Sequence, residues 1–321
     1  MLDLDLKDKK LLFELDTNSR QTYKEIAKKI RLSKDSIAYR IKRLQDLGII
    51  KQFQTIINVG KLGLISFRLY LKFENTTPEK EEEIIQFLKK QKIVTWIVSI
   101  DGNYDLGMWI VAKSIKEVNN LWTELLNKYN NYFDEKNLTI FTKVSYFPRT
   151  YFLDNKLNNQ EYIFITEPEE IKLTKKDIDI LKLLASDSRM SVVDISQKLK
   201  ITAKTVVARI KMLEKNKIII GYRTMFDLEK LGYEYYKVHM NLHNTTNEKQ
   251  KSLRQYIKQH PNIIYDNEVL GGDDIEIEIQ VKNSIELRNI LKDIKTKYSD
   301  IIKNYNHMLF YKEHKYVYFP I

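Results

Sequence analysis

The sequence predicts an α+β fold built from two tandem copies of one unit, each a winged helix-turn-helix domain followed by a ferredoxin-like βαββαβ domain. The first observation is an internal repeat, because a single ungapped offset aligns Gly63 with Gly232 and Ser19-Arg20 with Ser188-Arg189. The second is a change of apolar periodicity within each copy, from the helical period of 3.6 residues to the strand period of two. A repeat of this length indicates a duplicated whole unit, not a solenoid array.

Three short helices with helix-turn-helix spacing open each copy. Apolar residues predict helices at Asp8–Asp16 and Tyr23–Ile30, and Ser33 is the expected N-cap of a third helix that Gly48 ends. The β-branched residues 49–59 then suggest a short hairpin or wing. The corresponding helices of copy two are predicted at Asp177–Leu184, Val192–Leu199 and Thr202–Lys215. Both copies therefore place a capped third helix where a DNA-reading helix belongs.

The second half of each copy alternates apolar and polar residues. In copy one, residues 67–73 have the period of a half-buried strand. Further elements are predicted at Pro78–Lys90 (helix), Val94–Ile100 and Leu106–Ala112 (strands), Ile115–Tyr129 (helix) and Leu138–Val144 (strand), and copy two repeats the order. This order is βαββαβ. We expect the apolar side of the first strand, at Phe67, Leu69 and Leu71, to pack against the matching side of copy two.

These elements divide the chain into five segments. Residues 1–60 and 171–229 are the two expected helix-turn-helix domains, and residues 61–152 and 230–321 are the two ferredoxin-like domains. Residues 153–170 are rich in Asn, Lys and Glu and are expected to form a linker.

Composition restricts the classes of function. Lys+Arg 54 against Asp+Glu 43 gives a net charge of +11, which favours polyanionic partners, although lysines that only maintain solubility explain the same charge. The absence of cysteine excludes disulfides, thiolate nucleophiles and cysteine-ligated metal sites. No phosphate loop, nucleophile elbow or paired-carboxylate motif is present, so neither an enzyme, a cofactor nor a metal site is predicted. Without a long apolar run or a signal peptide, we expect a cytoplasmic protein that does not span a membrane.

The third helix of each copy carries the chemistry of a DNA reader. On a helical wheel Ile37, Ile41 and Leu44 share one face, so the basic and hydroxyl side chains point away, with Arg40 at the border. Such groups suit phosphates and base edges in the major groove. A solvated basic face explains either helix alone, but two such helices in matching positions favour DNA binding. The predicted DNA-binding residues are Ser33, Lys34, Ser36, Tyr39, Arg40, Lys42 and Arg43 in copy one, and Thr202, Lys204, Thr205, Arg209 and Lys211 in copy two.

A glycine-containing turn recurs between the second and third strands of each sheet module. The turns are Gly102-Asn103-Tyr104-Asp105 and Gly271-Gly272-Asp273-Asp274. Glycine permits a tight turn with free backbone N–H groups, and the acid that follows can hold an ammonium group. A plain hairpin turn explains the same residues. The candidate effector-binding residues are Gly102, Tyr104, Asp105, Gly271 and Asp274.

The order of modules and several local signatures resemble the Lrp/AsnC (feast/famine) family of bacterial and archaeal transcription regulators. The signatures in copy one are Asn18-Ser19-Arg20, Glu25-Ile26-Ala27, Leu32-Ser33, Arg40-Ile41-Lys42-Arg43-Leu44, Lys61-Leu62-Gly63 and Gly102-Asn103-Tyr104-Asp105. Copy two departs from them at Ser196, Met212 and Asp273. The resemblance covers nearly the whole chain twice and identifies the sheet modules as RAM-type ligand-binding domains.

The resemblance implies a sequence-specific DNA-binding transcription regulator, tuned by an amino acid or other small effector near the Gly-x-Tyr-Asp turn. Related single-unit chains dimerise through their sheet modules, often into octamers. We therefore expect double-stranded DNA as the partner and an internal pseudo-dimer of RAM domains, with further homo-oligomers open.

Two alternatives belong to other classes. Siroheme decarboxylases resemble the same two-module unit and act as pairs of unlike copies, using histidine and arginine in the sheet-module cavity. The five histidines here all lie in copy two, and His239 and His243 are in or beside an alternating strand and not on a helix, so a metal-binding pair is not expected. The other alternative is a ligand-sensing scaffold that no longer binds DNA.

Overall fold

The computed structural model describes residues 4–153, 160–165, 168–317 and 319. Its helices are α1 Leu6–Thr17, α2 Tyr23–Ile30, α3 Lys34–Asp46, α4 Pro78–Lys90, α5 Ile115–Tyr129, α6 Lys175–Ser186, α7 Val192–Leu199, α8 Ala203–Lys215, α9 Asn247–Gln259 and α10 Ser284–Lys297. Its strands are β1 Ile50–Ile57, β2 Ile65–Phe73, β3 Val94–Asp101, β4 Leu106–Ala112, β5 Phe133–Tyr146, β6 Tyr162–Ile165, β7 Ile219–Phe226, β8 Glu234–Leu242, β9 Ile263–Leu270, β10 Ile275–Val281 and β11 Ile302–Tyr316.

Each helical unit begins its third helix with the cap that the sequence predicts. The Ser33 side chain accepts a hydrogen bond from the backbone N–H of Ser36, and Thr202 caps α8 in the same way through Thr205. These bonds satisfy N–H groups that a helix start otherwise leaves without partners. Gly48 follows α3 with a φ of 69°, a left-handed conformation that favours glycine. The predicted caps are thus confirmed.

Residues 49–59 do not form the predicted short hairpin by themselves. They contain the single strand β1, which pairs antiparallel with β7 of the other copy. Gln54 lies opposite Arg223 in this pairing. The strands after the two third helices thus form one two-stranded ribbon, called the ribbon below, which joins the copies.

Eight strands of the two sheet modules close into a ring. The strand order is β2–β4–β3–β11–β8–β10–β9–β5, and β5 also pairs with β2, while β6 adds to the outside of β5. The long strands β5 and β11 make this closure: β5 pairs with β2 up to Ile140 and with β9 from Ile140 onward, and β11 changes from β8 to β3 at Leu309. The last strand of each module therefore joins it to the other copy.

The face that joins the copies differs from the predicted one. Phe67, Leu69 and Leu71 belong to a core that includes residues of α4 and α5, such as Leu88 and Leu125. Tyr236, Val238 and Met240 belong to a matching core with α9 and α10. Since each apolar sheet face is already covered by the helices of its own copy, the opposite faces of the two sheets face the interior of the ring.

Candidate nucleic-acid interface

The third helices present exposed lysines and hydroxyls. Lys34, Lys204 and Lys211 are exposed, the Lys42 side chain is 73% exposed, and Tyr39 is 68% exposed. Ser36 and Thr205 are half-buried beside the caps that they complete. Ile37, Ile41 and Leu44 are buried on the opposite side. The predicted outer face of α3 and α8 therefore offers ammonium groups and one aromatic ring to a ligand.

The three predicted DNA-binding arginines all bind buried carboxylates. Arg40 Nη1 lies 2.6 Å from Asp8 Oδ1 and 2.9 Å from Asp5 Oδ2, and Arg43 also binds Asp8, which is only 1% exposed. In copy two Arg209 lies 3.4 Å from Asp177. A buried carboxylate needs such partners, so these arginines fasten α1 to α3 and α6 to α8. The structure thus gives them a role inside each helical unit.

A reciprocal latch, formed by Ser19, Arg20, Ser188 and Arg189, joins the two helical units. The hydroxyls of Ser19 and Ser188 lie 2.7 Å apart although the residues are 169 positions apart in sequence, one repeat length. Arg20 donates to the carbonyl oxygens of Ser188 and Met190, and Arg189 donates to the equivalent oxygens of copy one. The latch therefore lies on a pseudo-two-fold axis and fixes the units relative to each other.

The ribbon adds symmetric contacts to the latch. The Thr55 hydroxyl donates to the carbonyl oxygen of Leu184 over 2.7 Å, and Thr224 donates to Leu15 over 2.9 Å. Each bond ties one copy's ribbon strand to the first helix of the other copy. The helical units are thus held as a pair by buried polar bonds as well as by apolar contacts.

In the glycine-containing turns, which were predicted to bind an effector, each acid accepts a hydrogen bond from a neighbouring strand. Asp105 accepts the backbone N–H of Phe73 over 2.7 Å, and Asp274 accepts that of Leu242 over 2.7 Å. Both acids therefore tie a turn to a neighbouring strand, and Asp105 also lies 3.0 Å from the ammonium group of Lys72. Gly102 and Gly271 both have positive φ angles, and a Cβ atom at Gly102 would lie 2.9 Å from Met308 Cγ. The turn geometry itself explains these glycines.

Tyr104 faces the interior of the ring. Its ring stacks on that of Tyr70 with centroids 5.1 Å apart, and its hydroxyl donates to Glu135 over 2.8 Å. Burial, together with the hydrogen bond to Glu135, raises the pKa of Tyr104 to about 12. In copy two, the equivalent positions hold His239 and Asp273, which lie 2.9 Å apart. The two copies therefore fill equivalent sites with different chemistry.

Sequence reasoning missed a buried group of charges inside the ring. Lys237 is fully buried, with Nζ 2.9 Å from Glu276 Oε2 and 3.7 Å from Glu278 Oε1. Arg68, the counterpart of Lys237 in copy one, lies 3.5 Å from Glu278. The signal available in the sequence was the alternation of polar and apolar residues along β8 and β10.

A cavity of about 650 Å³ lies between this interior and the ribbon. Its walls include three arginines, Arg68, Arg149 and Arg223, and the aromatic rings of Trp96 and Trp109. Among the described residues no cluster of His, Asp and Glu is arranged to hold a metal ion. None of the helices within the described ranges is long and apolar enough to cross a membrane.

A family model described as winged helix-turn-helix DNA-binding matches residues 4–51 and 173–220, which are the two helical units. An uncharacterised HTH-type transcriptional regulator of Pyrococcus furiosus is 31% identical over 127 residues, which are 39% of this chain and 84% of that protein. The HTH-type transcriptional regulator LrpB of Bacillus subtilis is 26% identical over 131 residues, 41% of this chain and 86% of that protein. These relatives are about as long as one copy.

One solved structure is similar over both copies together. The siroheme decarboxylase NirDL covers 98% of this chain with a TM-score of 0.64 at 12% sequence identity, and 93% of that chain is matched. At this identity the likeness concerns the fold alone, and it shows that the paired architecture occurs elsewhere. The sequence relatives and the two matched helical units decide the family: the chain belongs to the Lrp/AsnC family of helix-turn-helix transcriptional regulators, as two tandem units in one polypeptide.

Proposed function

We propose that this protein is a sequence-specific DNA-binding transcription regulator that presents two unlike reading helices from a single chain, without enzymatic activity of its own. The observation that carries this proposal is the pair of third helices with exposed ammonium groups, held together by the reciprocal latch. Ammonium groups on a helix that enters the major groove neutralise phosphates and release counterions. Because the exposed Tyr39 has Ala208 as its counterpart, we expect the two half-sites to differ in sequence.

Removing the exposed lysines of both helices should weaken DNA binding and flatten its salt dependence. The variant replaces Lys34, Lys42, Lys204 and Lys211 by alanine, and leaves the arginines that fasten the helices in place. Each lost phosphate contact should reduce the slope of log affinity against log salt concentration by about 0.9. Fluorescence anisotropy with a selected duplex at several salt concentrations measures both quantities.

The matched control removes the same charge elsewhere. It replaces Lys116, Lys251, Lys282 and Lys292, exposed lysines of the sheet modules, by alanine. We expect it to keep the slope of the unchanged protein. Equal loss of affinity in both variants would show that net charge and not the helices determines binding, and the proposed interface would be wrong.

We further propose that the internal pairing of sheet modules replaces the homodimer of single-unit relatives. The closed ring leaves no sheet edge of the described modules free at β3, β5, β9 or β11, where another chain's strand would pair. Light scattering at low protein concentration should give the mass of one chain. A mass of two chains that persists on dilution would contradict the proposal.

The second candidate is a tetrapyrrole decarboxylase, because the fold of siroheme decarboxylase NirDL matches this chain over its whole length and the cavity contains arginines. The described lining of the cavity includes no histidine, and the buried His239 is held by Asp273. Mixing the protein with an iron porphyrin that bears carboxylates separates the candidates: a shifted visible band with product formation favours the enzyme, and DNA binding without it favours the regulator.

A further inference from the structure

The cavity is lined by residues of the strand ring and by residues of the ribbon, whose two strands directly follow the third helices. Gln54, Thr55 and Ile56 of β1 form part of its wall, as do Arg223, Met225 and Phe226 of β7. The rest of the wall includes side chains of the strand ring, such as Arg68 and Glu278, and residues outside it, such as Arg149 and Leu228. At about 650 Å³ the cavity has the volume of a small-molecule site.

Arg68 is a buried cation whose hydrogen-bonding capacity is largely unused. It is 6% exposed, and within the described residues its Nε and Nη1 atoms have no hydrogen-bond partner. Its guanidinium lies over the rings of Trp96 and Phe141, at 4.7 and 5.2 Å from their centroids. Leaving charged donors unsatisfied in a buried site is costly. An acceptor that enters the cavity would remove this cost.

The second cavity arginine, Arg223, is bound by neutral groups. It donates to Gln54 Oε1 over 2.8 Å and to the Tyr316 hydroxyl over 3.0 Å, and also to the Tyr265 hydroxyl. Glu278, near Arg68, is shared with Lys237. Arg68 and Lys237 lie beside Glu276 and Glu278, whereas the partners of Arg223 named above are uncharged. Burial raises the pKa of the nearby Glu313, which disfavours its charged form.

The rest of the wall is largely aromatic. Trp96, Trp109, Phe141, Tyr235 and Phe310 line the cavity. The indole N–H of Trp109 is buried without a partner among the described residues. Flat rings favour a flat ligand, and the free indole N–H offers it one further hydrogen bond. The wall therefore combines an arginine that has unused hydrogen-bond donors with aromatic surface.

We propose that this cavity binds a small aromatic carboxylate, with its carboxylate on Arg68 and its ring against the tryptophans, and that binding changes affinity for DNA. The regulatory part rests on the proposed function. We expect the ligand to affect DNA binding because the ribbon, which forms part of the cavity wall, is connected to the helices. Its strands β1 and β7 directly follow α3 and α8, and Thr55 and Thr224 bind the first helices. A ligand alters DNA binding to the extent that it prefers one arrangement of the ribbon.

Tryptophan fluorescence tests the site directly, since two of the three tryptophans line the cavity. In a Trp122→Phe background, 4-nitrobenzoate should quench fluorescence saturably, and the neutral 4-nitrobenzyl alcohol should bind at least tenfold more weakly. Arg68→Met should raise the dissociation constant for 4-nitrobenzoate at least tenfold. The matched variant Arg288→Met, at an exposed position on α10, should leave it unchanged. No saturable quenching up to the solubility limit, or equal binding by both arginine variants, overturns the site.

Hydrogen exchange keeps the test independent of whether the Arg68 variant folds. In the unaltered protein 4-nitrobenzoate should slow exchange in peptides that cover residues 50–57 and 219–226. Protection confined to other segments overturns the proposal.

DNA binding with and without 4-nitrobenzoate separates the two parts. A change in affinity of at least threefold supports regulation, and an unchanged affinity with a filled cavity overturns it. Ligand binding without any DNA binding would support the ligand site and contradict the proposed function. DNA binding without ligand binding would support the proposed function and contradict the ligand site.

Discussion

Replacing Arg149 with methionine should lower the free energy of unfolding by about 3–5 kcal/mol, because it leaves a buried carboxylate without its counter-charge. Arg149 Nη1 lies 2.5 Å from Asp16 Oδ1, and its Nε donates to Gln280 Oε1 over 2.9 Å. Asp16 is fully buried at the end of α1. Methionine keeps most of the apolar stem, so the loss reports mainly on the charge. Thermal and urea unfolding followed by circular dichroism measure it.

The double variant Asp16→Leu with Arg149→Met separates charge from packing. Since it removes both ions, it should recover most of the lost stability. Arg288→Met serves as the control for an exposed arginine, with an expected change within about 0.5 kcal/mol. If the double variant is less stable than Arg149→Met alone, the ion pair does not account for the effect.

The same ion pair marks an asymmetry between the copies. Asp16 has Ala185 as its counterpart one repeat later, so copy two lacks this carboxylate at the equivalent position. The Tyr146 hydroxyl also donates to Asp16, over 2.7 Å. Helical unit one is thus fastened to the ring through a buried polar network that unit two does not repeat at this position. We expect Arg149→Met to speed hydrogen exchange in α1 before α6.

Local structure could be predicted closely from the sequence because its determinants are local. The helix Pro78–Lys90 was predicted with the bounds observed, since Thr77 caps it and Pro78 suits its first turn. The third helices were found through Ser33 and Thr202 for the same reason. Helix caps and apolar periodicity depend on residues that lie within one or two helical turns of each other, so the sequence alone contains the information needed.

Long-range partners could not be predicted in this way. Arg40 was assigned to DNA from a helical wheel, but its partner Asp8 lies 32 residues earlier and the wheel does not include it. The strand β1 looked like half of a hairpin, whereas its partner belongs to the other copy. The partner of Arg40 and the partner of β1 are both distant in sequence, and a single sequence does not reveal such pairs.

The cavity could not be predicted because alternating polar and apolar residues fit two structures, a sheet with one face in water and a sheet covered on both faces. In β10 the residues Glu276, Glu278 and Gln280 alternate with isoleucines, the pattern of a sheet with one face in water. All seven residues of this strand are nevertheless buried, because the second sheet covers the polar face. Only the closure of the ring shows that this polar face is covered and not in water.

Replacing Lys237 with methionine should also cost about 3–5 kcal/mol near neutral pH, since Glu276 would then lie buried beside Glu278 without its nearest cation. Burial alone raises the pKa of Glu276, but attraction to Lys237 and His239 outweighs it, and the pKa is lowered. A carboxylate with a lowered folded pKa stabilises the fold above its unfolded pKa, and this contribution is lost as the pH falls through the folded value. The methionine variant removes that contribution and leaves the burial penalty.

The direction of the Glu276 pKa shift determines how the stability of the Lys237→Met variant should depend on pH. In Lys237→Met the folded pKa of Glu276 should lie above its unfolded value, so the penalty is relieved as protonation neutralises the group. The difference in unfolding free energy from the unaltered protein should therefore shrink between about pH 7 and about pH 4.5. Adding Glu276→Leu should restore most of the stability at neutral pH, while Lys292→Met, at an exposed position, should change little. A loss that is the same at both pH values would mean that lost packing of the lysine stem, and not a stranded carboxylate, explains the effect.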